Sequence, residues 1–168
     1  MKKNRILYGL ASVAAVAILG ACAQFMHNDG EKVVALDQTP PAVQAAIGKA
    51  LAGQKADKIV MENDEGKPTY EVVYHVNGQE CSAEFTATGD LVEQESDVEA
   101  SSLPSVVTGA IMQKYPSAKI TEAAQVTSGG QHFYEAGIKL SDGKEREVQV
   151  NGDGSIRSDK AEEAEKAD

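Results

Sequence analysis

The chain carries one pattern of apolar and turn residues twice, and this duplication constrains its fold more than any other feature. Residues of a first copy recur in the same order and at the same spacing in a second copy, and such self-similarity has to be interpreted before any single element. A unit of about 60 residues buries only about 60% of its surface when it folds alone, so we expect the two copies to support each other. The matching residues are Pro40, Val43, Ala46, Ile47 and Tyr70 in the first copy, and Pro104, Val107, Ala110, Ile111 and Tyr134 in the second.

Each copy is expected to begin with a short amphipathic helix. Thr39 is the expected cap of the first helix, and Tyr115-Pro116 ends the second, because a residue before proline is pushed out of the helical region. Apolar residues spaced by three and four positions form one stripe on each helix. These residues are Val43, Ala46, Ile47 and Ala50 in the first helix, and Val107, Ala110 and Ile111 in the second.

The segments after each helix alternate between apolar and polar residues, which is typical of antiparallel strands with one buried face. Asn77-Gly78 and Asp142-Gly143 predict hairpin turns in which both central residues have positive φ. The predicted fold class is therefore α+β, with two tandem units that each pack a helix region on a roughly four-stranded antiparallel sheet. We place the units at residues 37–98 and 99–159. The residues expected to face the helices are Tyr70, Val72, Tyr74 and Val76 in the first unit, and Tyr134, Ala136, Ile138 and Leu140 in the second.

The sheet face away from the helices is expected to stay open to solvent. Val73 and Phe133 are apolar residues at positions of this face, and a cluster of exposed apolar groups can mark an interface. We therefore take Val73, His75, Phe133 and Lys139 as candidate protein-binding residues. The alternative is a solvated face with isolated apolar residues, which needs no function to explain it.

The N-terminal segment has the pattern of an export signal. Lys2, Lys3 and Arg5 precede the uncharged and mostly apolar residues 6–21, and small residues come before Cys22. The alternative is an uncleaved membrane helix, but residues 6–21 are short against the roughly 20 residues that span a bilayer.

Leu19-Gly20-Ala21-Cys22 resembles the lipobox of bacterial lipoprotein signals. The resemblance implies that residues 1–21 are removed and that Cys22 becomes the N-terminus and carries acyl chains, palmitate among them. Residues 22–36 would then form a lipidated tether. Ala23 is not the Asp that retains lipoproteins at the inner membrane, so the resemblance implies a site on the outer membrane that faces the periplasm.

The net charge excludes some classes of partner. The full chain has 16 Lys and Arg against 26 Asp and Glu, and removal of residues 1–21 leaves 13 basic residues and a net charge of −13. Such a chain lacks the clustered basic residues that bind nucleic acid or grip anionic lipid. We expect contact with the membrane through the N-terminal lipid alone, and a charged, frayed tail over residues 160–168.

No motif predicts catalysis, a metal site or a cofactor. The three His residues are scattered, and no nucleophile elbow, phosphate loop or dinucleotide fingerprint is present. Cys81 lies on the same strand face as Ala83 and Phe85, which favours a small buried hydrophobe over the alternative of a reactive thiol. The sequence therefore predicts a protein that is not an enzyme.

The second copy resembles the PepSY-like family, and more narrowly its β-lactamase-inhibitor-like proteins, which carry this unit in tandem. The resemblance implies a helix region on one face of each sheet and a second face available to a partner. The chain has no Trp and lacks the cysteine pairs of the inhibitor, so only the fold and a binding face are carried over. The residues that carry the resemblance are Leu103-Pro104, Val107, Ala110-Ile111, Tyr115-Pro116, Tyr134-Glu135 and Asp142-Gly143-Lys144.

The predicted function is that of a lipid-anchored, non-enzymatic envelope protein that binds another exported protein, such as a hydrolase, through the open sheet face. The acidic surface favours a basic partner. Two alternatives remain: a structural or stress-related envelope lipoprotein without a specific binding site, and a hydrolase or metal-binding protein.

Overall fold

The structure, a computed structural model, describes residues 31–64 and 67–161. The signal at residues 1–21, the lipidation site Cys22 and residues 162–168 of the tail lie outside the described residues. None of the described helices is long and apolar enough to cross a membrane. The elements are β1 (Lys32–Val33), α1 (Pro41–Leu51), β2 (Ala56–Asp64), β3 (Lys67–Val76), β4 (Gln79–Thr86), β5 (Leu91–Asp97), α2 (Ser105–Lys114), β6 (Lys119–Ser128), β7 (Gln131–Lys139), β8 (Glu145–Asn151) and β9 (Ile156–Ala161), with short 3₁₀ turns at Leu36–Gln38 and Ala100–Ser102.

The predicted fold class, two tandem units that each pack a helix on its own four-stranded sheet, is wrong. The strands of the described chain form one nine-stranded sheet in the order β1 to β9, and only two α-helices accompany it. Alternation along a strand shows which side chains share a face, but it does not show where a sheet ends. A strand that would be an edge leaves unpaired N–H and C=O groups, which a further strand of the same chain can satisfy.

The chain divides into two compact units between Ser96 and Asp97. We call them unit 1 (described residues up to 96) and unit 2 (from 97). Neighbouring strands are antiparallel in unit 1 and likewise in unit 2.

The core of unit 1 lies between α1 and the sheet. Val43 and Ile47 of α1 are fully buried, as the predicted stripe requires. The predicted sheet residues Tyr70, Val72 and Tyr74 belong to the same cluster, and so does Cys81, which confirms its role as a buried hydrophobe. In the unfolded chain these side chains contact water, and burial of each contributes roughly 1.5–3 kcal/mol.

The start of unit 1 differs from the prediction in two ways. Thr39 does not cap α1: Pro40 occupies the cap position, and the Thr39 hydroxyl donates to the Leu36 carbonyl oxygen at 2.8 Å. Lys32–Val33, which we expected within the tether, form β1 against β2. A strand of two residues is too short to show alternation, so no local pattern predicted it.

The core of unit 2 is built in the same way from α2 and its sheet. Val107 and Ile111 are fully buried and contact a cluster that contains Ala136 and Ile138, as predicted. The helix ends at Tyr115, whose N–H donates to the Ile111 carbonyl at 2.8 Å, which confirms the predicted stop.

The two predicted hairpin turns differ in conformation. Asn77 and Gly78 both have positive φ, of 53° and 82°, which confirms the predicted turn. In the second turn only Gly143 does, at 87°, and its N–H donates to the Leu140 carbonyl at 3.0 Å. The prediction is wrong for Asp142, because the longer loop needs one left-handed residue rather than two.

Candidate functional site

We call the side of each unit's sheet opposite its helix the outer face. In unit 1 the strand register aligns outer-face residues in rows across β2 to β5. One row runs from Val60 through Glu71 and Glu84 to Glu93. The carboxylates of this face, which we call the acidic face, are Glu62, Glu71, Glu80, Glu84, Glu93 and Glu95.

Glu62 is a residue of the acidic face whose ionisation is strongly changed by the fold. Burial raises its pKa first, and the neighbouring carboxylates of Glu31, Glu84 and Glu71 raise it further, to about 7. Lys58 lowers the pKa of Glu62, but by less than burial and the carboxylates raise it. The charge of the acidic face therefore changes near neutral pH.

His75 lies on the acidic face and is exposed, as expected for a binding residue. Its Nδ1 lies 2.7 Å from Asp57 Oδ2, and its Nε2 lies 3.9 Å from Glu80 Oε2. The ring is thus placed between two carboxylates.

Val73 is only 4% exposed, so the prediction that it is an apolar group in water is wrong. It is paired with Lys58 on one side and Ser82 on the other, within a strand that has neighbours on both sides. Side chains of adjacent strands lie close enough to cover a short valine.

Phe133 of unit 2 is also 4% exposed, which contradicts its predicted exposure. The Arg157 guanidinium lies over the ring, 4.2 Å from its centroid, and donates to Gln131 Oε1 at 2.8 Å. A cation over an aromatic face is attracted to it and shields it from water. The ring also packs with Ala124 and Val126.

The outer face of unit 2 buries two carboxylates, and neither was predicted as a site residue. Glu135 and Glu147 are 3% and 2% exposed. The Gln149 amide donates to Glu135 Oε2 at 2.9 Å and lies 3.5 Å from Glu147 Oε1. Burying a carboxylate is energetically costly, so the burial of Glu135 and Glu147 distinguishes them from the exposed carboxylates. This burial depends on the fold and could not be read from the sequence.

The structure does not gather the four predicted residues into one patch. Val73 and His75 are neighbours on the outer face of unit 1. In unit 2, Lys139 is exposed and pairs with Glu145 at 2.8 Å, but it lies at the opposite end of β7 from Phe133, roughly 20 Å away along a strand. Among residues 31–64 and 67–161, no group of His, Cys, Asp or Glu could hold a metal ion.

Solved structures from Bacteroides are similar to this fold. A DUF2874 family protein from Bacteroides uniformis has a TM-score of 0.62 and 20% identity, covering 73% of this chain and 89% of that chain. A BLIP-like protein from Bacteroides fragilis has a TM-score of 0.60 and 16% identity, and the match covers 77% of this chain and 92% of that chain. A protein from Bacteroides eggerthii that is described as periplasmic has a TM-score of 0.62 and 16% identity. The match covers 73% of this chain and 88% of that chain.

At these identities the similarity concerns the fold alone. It supports the β-lactamase-inhibitor-like fold that the sequence resemblance implied. Comparison with protein-family models and with curated proteins finds no match, so the assignment to the PepSY-like family stays a prediction.

Proposed function

We propose that the protein is a lipid-anchored protein of the cell envelope that binds another exported protein through its acidic face and catalyses no reaction. The observation that carries this proposal is the alignment of Glu71, Glu84 and Glu93 in one row, within a face where carboxylates outnumber the described lysines, Lys58 and Lys67. A regular sheet face with an excess of negative charge is complementary to a basic surface.

The partner is therefore an exported protein with a basic patch. The net charge of −13 for residues 22–168 attracts such a partner from a distance and raises the rate of association at low salt. The location in the envelope rests on the export signal and lipobox at residues 1–22, and the similar periplasmic structure agrees with it. The Ala after Cys22 favours the outer membrane, facing the periplasm.

The acidic face can be tested with a photocrosslinking side chain placed at Ser82, which lies on this face between Val73 and Glu95. In intact cells this position should capture one partner, and the same group at Gln113, an exposed position of α2, should not. Changing Glu71, Glu84 and Glu93 to Gln should reduce the affinity for the captured partner at least tenfold, because the charges nearest the partner are lost.

A matched variant removes the same amount of charge elsewhere. Asp37→Asn, Glu99→Gln and Asp142→Asn change exposed positions outside the acidic face, and together should weaken binding less than threefold. Equal weakening by both triple variants would mean that only net charge matters. Unchanged binding by the Glu71, Glu84 and Glu93 variant would exclude the face.

The proposed lipid anchor at Cys22 can be tested separately. Cys22→Ser should abolish acylation and cleavage before residue 22, so that the chain keeps residues 1–21 and carries no acyl group, because the thiol is the group that is acylated. Mass spectrometry of the purified chain measures both effects, and fractionation shows whether any cut chain sediments with membranes. Cys81→Ala, which changes a buried core residue, should leave lipidation intact. A Cys22→Ser protein that is still cut at residue 22 and still sediments with membranes would contradict the lipoprotein assignment.

A further inference from the structure

The strand β1 joins the N-terminal segment to unit 1 and is very short. It pairs with β2 through Lys32 opposite Met61 and Val33 opposite Val60. Val33 is 62% exposed, so its side chain adds little to the pairing. A strand held by so few bonds opens more readily than the rest of a sheet.

Val34 fixes the C-terminal end of β1. Its side chain belongs to the core, and its N–H donates to the Ile59 carbonyl at 3.0 Å. The alternation of an antiparallel ladder then makes Lys32 and Met61 the next hydrogen-bonded pair. Opening of β1 would therefore expose the amides of Lys32 and Met61 and stop at Val34.

The register also places Glu31, just before β1, opposite Glu62 of β2. Like charges directly opposite in an antiparallel pair destabilise it. The other charged groups that act on Glu62 are Lys58 on β2, Glu71 on β3 and Glu84 on β4. Carboxylates thus outnumber the ammonium groups near Glu62, which belong to Lys58 and to Lys67, two positions along β3 from the paired Thr69.

We propose that β1 is a pH-sensitive strand, whose pairing with β2 as far as Val34 is stronger while Glu62 is protonated and weaker when Glu62 ionises. The device requires no partner, although Glu62 belongs to the acidic face. Release of residues 31–33 would lengthen the connection between Cys22 and unit 1 by about 10 Å.

The direction of the effect follows from linkage. Burial and the carboxylates of Glu31, Glu84 and Glu71 raise the pKa of Glu62 from 4.5 to about 7 in the folded protein. Pairing of β1 supplies the Glu31 charge and part of the burial, so the paired state binds the proton more tightly than the open state. Protonation must then favour pairing by the same factor. Pairing is therefore strongest while Glu62 is protonated and is weakened as the pH rises through about 7.

Amide hydrogen exchange of the full chain tests this device. After correction for the intrinsic exchange rate, the protection of Lys32 and Met61 should fall about threefold between pH 5.5 and pH 8.5, a size typical of one like-charge pair. The protection of Val34 should not change. In Glu62→Gln the protection of Lys32 and Met61 should stay high at both pH values.

Two further variants separate the effect from a general loss of stability. Glu31→Gln, at an exposed position, should reduce the pH dependence without affecting the core. Glu93→Gln, on the same face but not among the groups that act on Glu62, should behave as the wild type. The proposal is overturned if Glu62→Gln keeps the wild-type pH dependence, if the wild type shows none, or if Val34 loses protection together with Lys32.

Discussion

Replacing Gly89 with alanine is expected to lower the free energy of unfolding by about 3 kcal/mol. Gly89 follows β4 with φ of 83°, and its N–H donates to the Thr86 carbonyl at 2.9 Å. An alanine in this left-handed region costs about 1–2 kcal/mol. Its Cβ would also lie 2.7 Å from the carbonyl oxygen of Ala42, in the first turn of α1. Backbone atoms cannot turn away as a side chain can, so α1 or the turn must shift, at a further cost of about 1–3 kcal/mol.

Gly78 provides the matched control for this prediction. It has nearly the same φ, 82°, but a Cβ built there meets nothing within 4 Å. Gly78→Ala should therefore cost only the backbone strain, about 1 kcal/mol. Urea unfolding of the purified variants measures both values. Equal losses would show that the approach of α1 to the Gly89 turn contributes nothing.

Gly154 extends the comparison to unit 2. Its φ is 88°, and a Cβ there would lie 2.9 Å from Val106 Cγ2. Val106 is an exposed side chain that can rotate, although its carbonyl oxygen at 3.2 Å remains close. We expect Gly154→Ala to cost less than Gly89→Ala and more than Gly78→Ala. The order of the three losses of unfolding free energy thus shows how far the need for glycine in each turn comes from contact with the neighbouring helix.

The parts of the fold that could be predicted from the sequence are those set by short-range patterns. The stripe with Val43 and Ile47, and the alternation through Tyr70, Val72 and Tyr74, depend only on helix and strand periods. Both patterns identified the inner faces correctly. They carry no information about how many strands one sheet contains, and that is where the predicted fold class fails.

The candidate site shows the same limit. Alternation placed Phe133 on the outer face, but its burial depends on Arg157, which comes from another strand. The acidic row of Glu71, Glu84 and Glu93 requires the register of three strands, which no single segment determines. The exposed positions of His75 and Lys139, which alternation predicted, are correct because each residue lies near a strand end, where few neighbours can cover it.

A polar cluster in unit 2 is likewise assembled from distant segments. Tyr115, at the end of α2, donates its hydroxyl to Asp159 Oδ2 at 2.6 Å, and Lys114 forms an ion pair with the same carboxylate. Arg146 of β8 donates from Nε and Nη2 to Asp159 Oδ1, at 2.7 and 2.6 Å. The Asp159 side chain is 13% exposed, so these bonds are partly shielded from water. The cluster therefore fastens the end of α2 to β8 and β9.

Asp159→Asn is expected to lower the free energy of unfolding by about 3 kcal/mol near pH 6. The amide cannot accept as many charged donors, and it leaves the Lys114 and Arg146 cations close together without a counter-charge. Urea unfolding at fixed pH measures the loss. Glu145→Gln is the control, because it removes the carboxylate of an exposed ion pair with Lys139, at 2.8 Å, and should change stability by less than about 0.5 kcal/mol.

The pH dependence of this loss tests the role of charge directly. Burial by itself would raise the pKa of Asp159, but hydrogen bonds from Lys114, Tyr115 and Arg146 outweigh it and lower the pKa from 3.8 to about 2. A lowered pKa contributes stability that is present above pH 3.8 and is lost as the pH falls through about 2, here about 2 kcal/mol. The difference between wild type and Asp159→Asn should therefore shrink by about this amount between pH 6 and pH 2. A difference that stays constant over this range would mean that packing, and not the carboxylate charge, holds α2 to the sheet.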